Sequence, residues 1–213
     1  MLRRLFLALV LATVGLSAGA EDPQWVEGEH YDLITPAVRT NSGDDIEVAE
    51  FFWYGCNHCY NFEPVLEKWR ESKPDDVAVV GSPAMWNPLM EIHARAFYTA
   101  KALGVFEEMH PVIFQAINVD RKRLASEDAL ADLFAAHGVD REDFSRAYNS
   151  FGVDSQVRQA NARARSARIT GTPEMMVNGK YRITTRKAGS QANMLRIADY
   201  LIEKERASME SAG

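Results

Sequence analysis

Ile46-Glu47-Val48-Ala49-Glu50-Phe51-Phe52-Trp53-Tyr54-Gly55-Cys56-Asn57-His58-Cys59-Tyr60-Asn61-Phe62-Glu63 joins two kinds of pattern across a single glycine. Up to Tyr54 the residues are β-branched and aromatic with both faces largely apolar, as in a central strand covered on both sides. Gly55 ends that strand. Beyond it Phe62, Val65, Leu66 and Trp69 recur at i, i+3, i+4 and i+7, the period of an amphipathic helix from Asn57 to about Lys73. Pro64 falls inside this helix and is expected to kink it, because it removes an amide and crowds the preceding turn. Lys73-Pro74-Asp75-Asp76 is turn chemistry, and Val77 to Gly81 reads as a second buried strand. Strand, helix and strand at this spacing make a βαβ unit, expected to be parallel and right-handed.

Further along, Met175-Met176-Val177 and Tyr181-Arg182-Ile183 flank Asn178-Gly179, the dipeptide that best tolerates positive φ at both turn positions, and so predict a β-hairpin. A last helix is expected from about Ser190 to Arg206, with Met194, Ile197, Ala198, Leu201 and Ile202 on one face and a frayed end from Ala207 to Gly213. Between these parts, from about Asn87 to Arg168, strand patterns are missing and helix punctuation is dense. Gly104 follows Leu103, Ser126 caps a segment ending before Gly138, Asp140 caps the next before Gly152, and Asp154 caps a basic helix to about Arg168. The chain therefore reads as α/β with an all-helical insertion.

The 213 residues are 46% apolar and 25% charged, with a net charge of −6, which excludes fibrous, disordered and multi-span membrane classes. The cations are scattered, and nucleic-acid binding needs them clustered. Residues 1–20 read as a cleaved signal peptide. Arg3 and Arg4 precede an apolar run from Leu5 to Leu16, and Ala18-Gly19-Ala20 supplies the small residues before a cleavage site. That run is short of the roughly 20 residues a membrane span needs, so export is expected.

Export sharpens the meaning of the only two cysteines, Cys56 and Cys59. Cys56 belongs at a helix N-terminus, where free amides and the positive end of the dipole favour an anion, and the thiolate is the reactive form of cysteine. His58 adds a donor or a second positive charge. Together they lower the Cys56 pKa and stabilise the dithiol relative to the disulfide, which favours giving a disulfide away. Cys59, one turn deeper, is the expected buried resolving thiol. A purely structural bridge closes too small a loop to constrain much of the unfolded chain. Zinc normally takes four ligands, and none of His30, His93, His110 or His137 has a spacing that completes a set with Cys56, Cys59 and His58. Haem of the c type needs histidine directly after Cys59, where Tyr60 stands.

Two carboxylates stand close in sequence. Glu50 shares a strand face with Val48 and Phe52, so it is expected to be buried with no obvious cation, and Glu63 lies one turn after Cys59 on the same helix face. A buried carboxyl of raised pKa can exchange the proton that moves when Cys59 enters or leaves a disulfide. Spacing alone leaves open that Glu63 is a solvated helix residue and Glu50 a strand-end one.

The block Glu50-Phe-Phe-Trp-Tyr-Gly-Cys56-Asn-His-Cys59-Tyr-Asn-Phe-Glu63, with Gly171-Thr-Pro173-Glu-Met-Met-Val-Asn-Gly-Lys-Tyr181 far downstream, resembles the two signature blocks of the periplasmic thiol:disulfide oxidase family, DsbA. The likeness covers essentially the whole chain after residue 20, including the length of the insertion. It implies a thioredoxin fold with an inserted all-helical domain: 21–86 and 169–213 form the thioredoxin-like part and 87–168 the insertion. It also implies that Cys56 is the nucleophile, Cys59 the resolving thiol and His58 the residue that tunes the thiolate. Glu50 and Glu63 match the family's acidic pair. Pro173 matches a cis-proline facing the disulfide, with Thr172 before it offering its backbone to substrate, although X-Pro bonds are otherwise mostly trans. Two departures bear on redox poise: Asn57 stands where the best-known members have proline, and Thr172 where they have valine. Glu174 adds a charge beside the expected substrate groove.

The resemblance implies an exported, monomeric oxidase that gives its Cys56–Cys59 disulfide to unfolded exported proteins and is reoxidised by a quinone-linked inner-membrane partner, with no dissolved cofactor. Met85, Trp86, Met175 and Met176 are placed near the groove as adaptable substrate contacts, or else as ordinary core. The rivals are a reductase or isomerase of the same fold, and a non-catalytic binding protein.

Overall fold

The computed structural model describes residues 25–211, so the signal peptide at 1–20 lies outside the described residues. In chain order the elements are β1 (Asp32–Leu33), β2 (Ile46–Phe52), α1 (Asn57–Glu71), β3 (Val77–Pro83), α2 (Pro88–Ala102), α3 (Phe106–Asn118), α4 (Glu127–Ala135), α5 (Arg141–Tyr148), α6 (Phe151–Ser166), β4 (Glu174–Val177), β5 (Tyr181–Thr184), α7 (Thr185–Ala188) and α8 (Gln191–Glu210). The sheet runs β1-β5-β4-β2-β3, with β2 and β3 parallel and the other pairs antiparallel. β2 has a strand on each side and all seven of its residues are buried, as its two apolar faces require. β3 departs from expectation: Val77 to Gly81 are only half-buried, because β3 is an edge strand with one partner. Pro64 lies within α1, which continues past it to Glu71.

Local chemistry sets most boundaries. Asn178 and Gly179 turn the β4–β5 hairpin at φ 48° and 68°. Glycine is required at the second position, since a Cβ there would meet the Val38 carbonyl oxygen at 1.8 Å. Ser126 and Asp140 cap α4 and α5 as read from the sequence. The next start does not fall at Asp154. Ser150 caps α6 through its Oγ, which accepts from Val153 N at 3.2 Å, so Gly152 sits in the first turn of α6 instead of closing α5. Asp154 then lies inside the helix, 2.6 Å from Arg95 Nη2 on α2. At the other end α8 holds its helical bonds to Glu210, beyond the fraying expected from Ala207.

Three apolar clusters share β2. Ile46 and Val48 pack against Phe62 and Leu66 of α1 and Ile197 and Leu201 of α8. Phe52, Tyr54 and Cys59 join Phe97, Met109, Phe114 and Phe134 of the helices that stand between β3 and β4. On the opposite face Ala49, Phe51 and Met176 meet Ala164, Ala167 and Ile169 around the end of α6. Burying each large side chain contributes about 1.5–3 kcal/mol. Cys59 thus sits on the seam between the sheet and the inserted helices.

Candidate active site

The end of β2 delivers Cys56 to its position through a tight turn, with Cys56 N donating to Trp53 O at 2.9 Å. Gly55 is needed there, since a Cβ would come within 2.3 Å of the Trp53 ring. Cys56 is the N-cap of α1: its backbone is extended and its Sγ accepts from Cys59 N at 3.3 Å. A thiolate in that seat meets amides that have no helical partner. The Cys56 pKa is lowered from 9.0 to about 5. The Cys59 thiol donating to it is the largest cause, it prevails over burial, and the Thr172 side chain and the amides of Cys59 and His58 add to it. In the protonated form the Cys56 thiol instead donates to Thr172 O at 3.3 Å, a bond the thiolate gives up.

Cys59 is the opposite case. It is 0% exposed, and burial drives its pKa far up, reinforced by its donation to Cys56 and by the charge of Glu50. One turn of helix therefore separates a thiol that ionises easily from one that resists ionisation. Asn57 and His58 are exposed, and it is the His58 amide that stands among the donors favouring the Cys56 thiolate. The His58 carbonyl accepts from Gln191 Nε2 at 2.6 Å, which ties this turn to the start of α8.

The downstream block reaches the same place. Thr172–Pro173 is cis and lies against Cys56 through the Thr172 carbonyl. The structure refines the reading of Glu174 and decides between the two alternatives left open for Met175 and Met176. Glu174 does border a cleft with Thr172 and Pro173, but as a buried side chain: it is 4% exposed, with its pKa raised by burial against the opposing pull of Arg182, and it accepts from the Thr170 hydroxyl at 3.2 Å. Met175 and Met176 are core residues, on opposite faces of the central sheet. Met85 is half-buried, and of the four apolar residues only Trp86, at 52%, is exposed.

Glu50 and Glu63 both turn inward. Glu50 is 2% exposed, and burial raises its pKa, with Glu63 raising it further and Arg70 pulling it down. Arg70, on α1, is the cation the sequence pattern had not supplied. Glu63 is no solvated helix residue: its side chain is 18% exposed and Oε1 lies 3.4 Å from His110 Nε2. Glu50 Oε1 and Glu63 Oε1 are buried without a hydrogen-bond partner among the described residues. Sequence reasoning weighed His110 only as a metal ligand and missed this contact, because α3 reaches α1 only through tertiary packing. His93 was missed in the same way; it accepts from Trp53 Nε1 at 3.0 Å. Among the described residues no group of three or more His, Cys, Asp and Glu is gathered as a metal site.

A helix-capping sulfur held near pKa 5 over a buried thiol of high pKa, on a sheet of this order, defines a thiol:disulfide oxidoreductase of the thioredoxin fold. Residues 85–196 match the family model of the DSBA-like thioredoxin domain. The chain is 40% identical to the thiol:disulfide interchange protein DsbA of Pseudomonas aeruginosa over 210 residues, 97% of this chain and 99% of that protein. It is equally similar to the DsbA of Azotobacter vinelandii, 40% over 213 residues. The crystal structure of Pseudomonas aeruginosa DsbA superposes with a TM-score of 0.84 at 41% identity, covering 87% of this chain and 97% of that one. The chain belongs to the DsbA family.

Proposed function

We propose that this oxidoreductase works as a disulfide donor. A substrate thiolate attacks Cys56 Sγ of the Cys56–Cys59 disulfide, Cys59 leaves as a thiolate and takes a proton, and Cys56 is joined to the substrate. A second substrate thiolate then attacks the substrate sulfur, forms the substrate disulfide and expels Cys56 as a thiolate. Two electrons have then passed from substrate to enzyme; Cys59 keeps one proton, and the other goes to solvent because Cys56 stays a thiolate. The observation that carries this direction is the Cys56 pKa of about 5, which makes Cys56 a good leaving group and stabilises the reduced enzyme.

In this reading Cys56 is the nucleophile and Cys59 the resolving thiol. His58 and Asn57 tune the thiolate from the turn between them, Glu50 and Glu63 exchange the Cys59 proton, and Thr172 and cis-Pro173 receive the substrate backbone as an added strand. The working division of the chain is 21–86 with 169–213 as the thioredoxin-like part and 87–168 as the insertion, supported by β3 ending at Pro83 and β4 starting at Glu174. The redox-active pair serves in place of a dissolved cofactor. Substrates are reduced or unfolded exported proteins, the compartment is the periplasm, and a quinone-linked membrane protein of the DsbB kind restores the disulfide. No helix among the described residues is long and apolar enough to cross a membrane.

The test is the reduction potential of the Cys56–Cys59 couple, followed by tryptophan fluorescence across glutathione buffers. A value of about −150 mV or higher supports the donor. A value near about −270 mV, the range of thioredoxin, overturns it in favour of a reductase.

A further inference from the structure

His110 occupies a cage for which the exchange at Cys56 and Cys59 has no evident need. Its ring lies 4.7 to 5.9 Å from those of Phe52, Phe97, Phe106 and Phe114, and its side chain is 13% exposed. Both ring nitrogens nevertheless meet polar groups. Nδ1 is 2.7 Å from the Tyr54 hydroxyl, and Nε2 is 3.4 Å from Glu63 Oε1, a close electrostatic contact rather than a formed hydrogen bond. Burial and the charge of Glu63 push the Tyr54 pKa up, so the phenol keeps its hydrogen and donates it to Nδ1. A neutral imidazole then carries its own hydrogen on Nε2, on the side of Glu63. The other charged groups around this point are Glu50 from β2, Glu67 and Arg70 from α1, Lys101 from α2 and Glu107 from α3, which line the two cavities that His110 borders.

We propose that His110, carried into the site by α3, is a positioning residue for the redox step: seated against Tyr54, it directs Nε2–H at the Glu63 carboxylate and so sets the pH at which the Glu50–Glu63 pair can take the proton of Cys59. The inference rests on the reading above that this acidic pair serves Cys59. The physical sequence is short. Glu63 lies largely out of water, and an N–H dipole held 3.4 Å from its oxygen favours the ionised form. Without that donor the pair retains a proton to higher pH, because two neighbouring buried carboxylates titrate as one unit. Cys59 then loses its proton only at higher pH.

Resolution of the mixed disulfide between Cys56 and glutathione isolates this step. Cys59 gives its proton to the acidic pair, its sulfur attacks Cys56 Sγ, the bond from Cys56 to glutathione breaks, and glutathione leaves as a thiolate. Its release is followed from pH 4 to 9 in the whole protein. H110F, which fills the cage without a donor, is expected to move the acid limb of the profile to higher pH and slow release on that limb by roughly threefold or more. H110Q, which restores an N–H at the reach of Nε2, returns the limb toward wild type. Y54F, a small change in the core, frees the imidazole to place its hydrogen on either nitrogen and shifts the limb the same way, so the test survives if H110F does not fold. Titration of Cys56 near pH 5 stays where it is in all three.

An unmoved limb in folded H110F, or in Y54F, overturns the inference, as does an H110Q profile that follows H110F. E50Q and E63Q separate the two levels. If neither alters the limb, the acidic-pair reading itself fails; if E63Q moves it while H110F and Y54F do not, only the role of His110 fails.

Discussion

The backbone N–H of Cys59 points at Cys56 Sγ across 3.3 Å, so the Cys56 sulfur is the cap of its own helix. On the proposed function, a disulfide draws electron density from that sulfur and a thiolate returns it, which couples the redox state of the pair to the stability of α1.

That coupling has a pH signature. The Cys56 pKa falls from 9.0 to about 5 in the fold, so its contribution to the stability of the reduced protein is fully present above pH 9 and is lost as pH falls through 5. The melting temperature of the reduced protein is expected to decline between pH 7 and 4.5 more steeply than that of Cys56→Ala. Equal slopes in the two scans would mean that the thiolate is not held by the helix end.

Thr172→Val removes a side-chain donor that favours the Cys56 thiolate and keeps the volume nearly constant. The expected result is a higher Cys56 pKa, and alkylation at pH 6 slowed by about two- to fivefold. The same variant should leave the denaturant midpoint of the oxidised protein close to wild type. Alkylation at the wild-type rate would assign the low pKa to the Cys59 thiol and the backbone amides, without Thr172.

Glu50 has the opposite linkage. Burial raises its folded pKa above 4.5, so the fold loses stability as pH rises from 4.5 toward that value, where a charge must be kept out of water. Glu50→Gln removes this cost. Urea unfolding should show the variant more stable by about 1–3 kcal/mol at pH 8, with the difference shrinking toward pH 4. A variant less stable at both pH values would show that Glu50 is held by its contacts.

On the far face of β2, Glu47 is buried against Arg163 of α6 and also accepts from Asn41 N and Ser42 Oγ. Arg163→Met leaves that carboxylate without its cation and should cost about 3 kcal/mol. Adding Glu47→Gln should recover part of the loss. Neither change touches the donors around Cys56, so the alkylation rate of Cys56 serves as the control.

Much of this architecture was legible because it rests on short-range rules. Asn178-Gly179 turns a hairpin through backbone permissiveness, and Ser126 and Asp140 cap helices through their own side chains. The misreading at Asp154 had a local cause as well: Ser150, four residues earlier, offered an equally good cap, and the choice fell to the side that lets Asp154 meet Arg95 across to α2. Val77 to Gly81 looked buried because strand composition does not reveal an edge. Whether a strand has one neighbour or two is set by topology alone. The burial of Glu174 and the core position of Met176 were undecided for the same reason, since alternation shows that two faces exist but not which of them is covered.

By itself the sequence determined the strand that ends in a glycine, the cysteine at the first turn of the helix and the second cysteine one turn on. These follow from dihedral preference and helical period within some fifteen residues. Only the tertiary structure decided what each sulfur feels. Thr172 reaches Cys56 from 116 residues away, Arg70 turns toward Glu50, and His110 closes on Glu63 from another helix. Ionisation depends on burial and on every charge and donor within a few ångströms. Those neighbours come together only when separate elements pack, so the cysteine pair could be read from its own residues while its electrostatic setting could not.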